Sequence, residues 1–80
     1  MTAILQRKTY KNKCRKGITS ALHLITPYGA FNISSFDGSN YIEVDGKTQF
    51  VNFDKHAFDK TDLIQMRFDE DYGFWREAAL

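Results

Sequence analysis

The residues of this 80-residue chain whose types could do chemistry fall into three groups, and the largest is basic. The stretch RKTYKNKCRKG, Arg7 to Gly17, holds six of the eleven lysines and arginines, and all ten acids follow it. Residues 1–16 therefore carry +6. Residues 17–80 carry −5, with Lys47, Lys55, Lys60, Arg67 and Arg76 set against the ten acids. Cations packed this closely repel one another. Placed against phosphates, each displaces condensed counterions and drives salt-dependent nucleic-acid binding. The candidate nucleic-acid contacts are Arg7, Lys8, Lys11, Lys13, Arg15 and Lys16, with Tyr10 among them to stack on an unpaired base. A solvated arm, or one folded back on the acidic body of its own domain, explains the same charges.

The second group is the two histidines, His23 and His56, the acid–base candidates near neutral pH. His23 stands in an apolar run, as a packed or half-exposed histidine does. His56 lies in DKHAFD, where Asp54 or Asp59 could orient its ring for general-base work. No nucleophile is spaced to meet it, so a small hydrolase or nuclease around His56 stays the third reading. The third group is the carboxylates of DEDYG: Asp69, Glu70 and Asp71. They lack the alternating ligands and closing glutamate of a calcium loop, and a solvated acidic turn is expected. One cysteine, Cys14, and two distant histidines do not make a zinc site. The five glycines are scattered one to a turn and form no phosphate loop. No catalytic residue, metal or cofactor is assigned.

A further candidate surface lies in the tail. DYGFWREAAL sets Tyr72, Phe74 and Trp75 close to Arg76, and exposed Tyr and Trp beside Arg is hot-spot composition. Tyr72, Trp75 and Arg76 are the candidate partner-binding residues.

A single small domain must position all of this. Eighty residues bury only about 60% of their unfolded surface, so the core is small, and an aromatic content of 15% suits it. The lone cysteine offers no internal disulfide. No apolar run approaches the ~20 residues of a membrane span. The start, MTAILQRKTYKNK, has its apolar piece before its charges, the reverse of a signal peptide. A cytoplasmic protein with no membrane partner is expected.

The N-terminal segment reads as a short helix stopped by Gly17, as an arm, or as a strand. From Ile18 the pattern is β. ITSALHLIT suits a largely buried strand, TPYG a turn, and AFNISSF a second strand. DGSN makes another turn, and the Asp-Gly between YIEV and TQFVNF is a strong hairpin signal. Four antiparallel strands in a meander are expected between Ile18 and Phe53. FDKHAFDKTD reads as a loop with one helical turn. At 63–80 a helix capped by Asp62 competes with a hairpin, because Ile64, Phe68, Tyr72, Trp75 and Ala79 follow helical spacing. Gly73 argues against the helix by about 1 kcal/mol. We favour a strand over 63–68, a turn through DEDYG and a short final element, with Phe74 inward and Trp75 partly exposed.

A basic N-terminal segment followed by five short strands, with a break before the last, resembles the Sm/Hfq small barrel. SSFDGSNYIEV (Ser34 to Val44) and QFVNFDKHAF (Gln49 to Phe58) are similar to a strand pair of that family and its Lys-His-Ala corner, here Lys55-His56-Ala57. The resemblance implies an RNA-binding ring. The chain departs from the family in its short first loop, its missing Ile-Arg-Gly signature and its acidic body.

The fold class expected is thus α+β, mainly β. The domain spans 1–80, with a basic segment at 1–17 and a β-rich body at 18–80. Its curled antiparallel sheet has four to five strands, with one or two short helices. The expected core is Ile18, Leu22, Leu24, Phe31, Ile33, Ile42, Val44, Val51, Phe53, Ile64, Met66 and Phe68. The function expected is that of a non-catalytic binding protein. It would occupy a surface of a protein or nucleoprotein, as an inhibitor or adaptor of the kind phages encode against host machinery. A nucleic-acid-binding module is the alternative.

Overall fold

The structure, a computed structural model, describes residues 1–12, 17–58 and 60–78, and for residues 10–12 and 17–20 it describes the backbone alone. The chain is nearly all β. Its strands are β1 (Thr2–Asn12), β2 (Gly17–Thr26), β3 (Gly29–Asn32), β4 (Ser34–Phe36), β5 (Ser39–Val44), β6 (Lys47–Asn52), β7 (Leu63–Asp69) and β8 (Phe74–Glu77). A 3-10 turn at Lys55–Phe58 is the sole helical element among the described residues. None of these elements is a helix long and apolar enough to cross a membrane.

All eight strands join one sheet in the order β3-β2-β1-β7-β8-β6-β5-β4. The two edge strands, β3 and β4, are consecutive in the chain and separated only by Ile33. The sheet therefore curls into a nearly closed barrel. At the corner, Asn32 still pairs with His23 of β2, whereas Ser34 already pairs with Tyr41 of β5. This bend turns one extended run into two strands, which is why four expected strands between Ile18 and Phe53 become five, β2 to β6. The sheet is not purely antiparallel either, since β6 and β8 run parallel through Val51↔Trp75 and Asn52↔Arg76.

The expected count of four to five strands with one or two short helices is corrected to eight strands and a single 3-10 turn among the described residues. The N-terminal segment accounts for part of the difference. It is a strand, with Leu5 and Ala3 buried in the core and Ile64 and Met66 of β7 opposite them. Gly17 opens β2 rather than ending a helix. The boundary expected at 17/18 falls inside this β1–β2 pair.

The core is formed by Ala3, Leu5, Leu24, Ile42, Val51, Phe58, Ile64, Met66 and Trp75. Leu22, Phe31, Ile33, Val44, Phe53 and Phe68 pack against it half-buried. The side chain of Ile18 lies outside the described residues. Ala3, Leu5, Phe58 and Trp75 were not expected. Phe58 gets inside because the 3-10 turn folds it under the barrel, where it meets Phe53 edge-on at 5.8 Å.

Two Asp-Gly turns fix the register of β4–β5 and β5–β6. Asp37 and Gly38 have φ of 52° and 80°, and Asp45 and Gly46 have 52° and 76°. Both central residues are left-handed in each loop, the type I′ geometry that matches strand twist. A Cβ on Gly46 meets nothing within 4 Å, so the cost of adding one is backbone strain alone. Gly46→Ala is expected to lower stability by about 1 kcal/mol, and urea unfolding checks this.

The β7–β8 turn is organised by Asp69, which is only 7% exposed. Its Oδ1 accepts the backbone N–H groups of Asp71 (3.0 Å) and Tyr72 (3.2 Å), and its Oδ2 accepts from Arg76 Nη1 at 3.2 Å. The solvated acidic turn expected here is corrected for this residue. Loss of water raises the Asp69 pKa, but the Tyr72 N–H, the Arg76 guanidinium and the Asp71 N–H pull it down further, to a net value below the ordinary carboxylate. On acidification the unfolded chain therefore takes up this proton first. The stabilisation is complete above the ordinary aspartate pKa of about 3.9 and is lost as pH falls through the lower, folded-state value. Asp69→Asn keeps the turn acceptor and should flatten the fall of melting temperature in this acid window. Asp69→Ala should lower it at neutral pH as well.

Candidate nucleic-acid interface

The described part of the basic segment, Arg7 to Asn12 and Gly17, lies on a two-stranded ribbon. β1 and β2 pair continuously from Ile4↔Ile25 to Asn12↔Gly17. On the outer side of β1, β7 pairs only from Thr2 to Gln6, and on the outer side of β2, β3 pairs only from His23 to Thr26. The last bonds to the body are Arg7 N to Asp62 O and Ile33 N to Leu22 O, each 3.0 Å. Among the described residues, Lys8 to Asn12 and Gly17 to Ala21 pair only with each other. Five residues per strand make about 17 Å of extension.

The candidate contacts divide along this ribbon. Arg7 belongs to the body. Its Nη2 donates to Phe58 O and to Asp62 Oδ1, both at 3.2 Å, and its guanidinium lies 5.5 Å from the centre of the Phe58 ring. Much of its charge is thereby answered. Lys8 is exposed. Tyr10 and Lys11 sit on the free part of β1, where only the backbone is described. Lys13, Arg15 and Lys16, together with Cys14, lie outside the described residues. At the foot of the ribbon a groove of about 310 Å3 opens between Arg7, Lys55, Ser35 and Asn40, over the rings of Phe53 and Phe58. Lys55 adds a cation there that the linear sequence separates from the basic run by nearly forty residues.

The other candidates fare differently. Asp54 Oδ1 accepts the backbone N–H of His56 at 2.9 Å, so this carboxylate caps the 3-10 turn. Asp59 lies outside the described residues. His23 is half-buried on β2 between Gln6 and Asn32. The Lys55-His56-Ala57 corner of the small-barrel resemblance is this 3-10 turn, and Ser34 to Val44 is the β4–β5 hairpin. The five-strand order that the resemblance implies gives way to eight strands.

In the tail, the hairpin forms with Asp69↔Phe74 and Phe68↔Trp75. The facing is the reverse of that expected. Trp75 is 1% exposed, packs edge-on against Phe68 at 5.3 Å, and donates its indole N–H to Gln49 Oε1 at 2.9 Å. It is withdrawn from the candidate surface. Tyr72, 78% exposed, and Arg76 remain, beside a half-buried Phe74 in an open groove.

Sequence reasoning missed a second aromatic surface. The outer face of β4–β6 carries Phe36, Tyr41 and Phe50, and Tyr41 lies directly across from Phe50. Alternation in YIEV and TQFVNF assigned Ile42 and Val51 to the core, which implied that Tyr41 and Phe50 face out. Comparison with known protein families, curated proteins and solved structures returned no match to this chain.

Proposed function

We propose that the chain is a non-catalytic, cytoplasmic binding protein whose basic ribbon docks on the phosphate backbone of a nucleic acid, bare or within a nucleoprotein. The observation that carries this reading is the two-stranded ribbon, unpaired with the body beyond Arg7 and Leu22 among the described residues, in a part of the chain that holds five further cations and no acid. A two-stranded ribbon is narrow enough to enter a major groove, and the lysines and arginines between residues 8 and 16 would neutralise phosphates beside it. Lys55 lines the groove at the ribbon foot and adds positive potential there, apart from the five cations counted for direct phosphate contact. A protein seated this way acts by covering the site, as an inhibitor or adaptor does, and asks no bond chemistry of His56.

Mobility shifts with duplex and single-stranded DNA and RNA, each at two salt concentrations, test the reading. Binding that weakens steeply with salt and varies little with sequence is expected. No binding to any of the four at low salt overturns it.

A further inference from the structure

The outer face of β4–β6 has a composition that the ribbon does not explain. Phe36 is 75% exposed and Phe50 48% exposed, and both line one groove of about 350 Å3 with Tyr41. Its other walls are the carboxylates of Asp37 and Glu43 and the hydroxyls of Ser39 and Thr48. Single exposed apolar residues are ordinary, but three rings sharing one groove mark a contact surface. No cation lines the groove among the described residues. Ring faces attract ammonium and guanidinium groups, carboxylates pair with them, and the aliphatic stems of Lys and Arg lie along apolar rings. The groove is thus built for a lysine- or arginine-bearing segment.

The chain itself supplies such a segment, and the strand order decides which copy provides it. Between β1 and β5 lie β7, β8 and β6 on one side and β2, β3 and β4 on the other, so β5 stands across the barrel from β1. A groove on the outer face of β5 points away from its own ribbon. The charges of the two parts are complementary, +6 over residues 1–16 and −5 over the rest, and with the groove turned away from its own ribbon a second copy can bring them together there. We propose that the groove of Phe36, Tyr41, Phe50, Asp37 and Glu43 binds the basic residues between Lys8 and Lys16 of a second copy. The result is a head-to-tail, salt-dependent self-association. Because the two faces in contact differ, the assembly is heterologous and grows past two copies unless it closes into a ring.

Sedimentation velocity on the purified chain, free of nucleic acid, tests this and is independent of the nucleic-acid reading. Mass that rises with concentration at about 50 mM salt and falls back to monomer at about 500 mM is expected. Phe36→Ala with Glu43→Lys should weaken association at least tenfold, and so should glutamine at Lys11, Lys13, Arg15 and Lys16. Each variant keeps the half that the other lacks, so a mixture should form one-to-one pairs and stop there. Glu43→Lys alone, at an exposed position, should also weaken association and leave the melting temperature unchanged. A chain that stays monomeric at low salt overturns the proposal. So does a groove variant that assembles like the parent, or a mixture that stays monomeric. Loss of affinity for a foreign basic protein in a groove variant of a monomeric chain would assign the groove to that partner instead.

Discussion

Replacing Lys11, Lys13, Arg15 and Lys16 together by glutamine is expected to collapse the salt dependence of nucleic-acid binding and leave the fold intact. The magnitude follows from counterion release. Six cations lie in the basic segment, and Arg7 is held by Asp62 and the Phe58 carbonyl, so the expected slope is set by the other five meeting phosphate. On duplex DNA each contributes about 0.9 to the slope of log affinity against log salt, so the parent slope is about −4.5. Between about 50 and 200 mM salt the parent should lose several hundredfold in affinity. The variant retains Lys8 and should lose only about fourfold over the same interval. Titrations by fluorescence anisotropy at four salt concentrations measure both slopes. Equal slopes would remove the ribbon from the interface. Arg7→Gln should behave in the opposite way, lowering stability through the lost contacts to Phe58 and Asp62 and barely changing the slope.

That contrast shows how far the sequence could be read. The charge asymmetry was plain, and so were the two Asp-Gly turns, because Asp-Gly between alternating runs has few other uses. The tail hairpin was also legible, since Gly73 penalises the competing helix and takes up φ of 76° in the turn. What ties Arg7 to the body is a contact fifty-one residues away, with Phe58, and no local pattern encodes it. The same holds at Ile33. No glycine or proline marks the corner where the chain leaves β2 for β5. The bend follows from closing the barrel, and closure is a property of all eight strands. The N-terminal strand was ambiguous because only Ala3 and Leu5 of its inward face are apolar. The next inward position is Arg7, whose stem and guanidinium cover Phe58.

The facing of the tail could have been settled by counting. In a hairpin with Asp69 opposite Phe74, the four residues between them form the loop, and Phe68 must face Trp75. Phe68 shares its face with Ile64 and Met66, so Trp75 shares it too. The sequence reading placed the turn correctly but not the register, and a one-residue error inverts every side chain. Asp69 was the missing clue. Its carboxylate binds the N–H groups two and three residues on, which starts the loop at that residue.

Trp75→Ala is expected to cost about 3–5 kcal/mol, a quarter or more of the stability of a chain this size, and to lower its melting temperature sharply. The indole is among the largest fully buried side chains, and it touches the core from a short strand that closes the barrel between β6 and β7. Its removal opens a cavity beside Phe68 and deprives Gln49 Oε1 of its donor. Against that loss stands a total stability of roughly 0.05–0.15 kcal/mol per residue, about 4–12 kcal/mol for this chain. For a domain of this size each kcal/mol moves the melting temperature by about 4–8 °C, so a fall of at least about 12 °C is expected. Trp75 is the only tryptophan, so the parent reports on itself: its emission should be blue-shifted when folded, move to the red in urea, and stay unchanged when nucleic acid is added. Trp75→Phe separates the two contributions. It restores most of the apolar volume but not the bond to Gln49, and should recover more than half of the lost stability because packing outweighs one hydrogen bond of about 1 kcal/mol. A Trp75→Ala protein that melts within a few degrees of the parent, or a red emission from the folded chain, would mean that β8 does not close the barrel and that the tail is free for a partner after all.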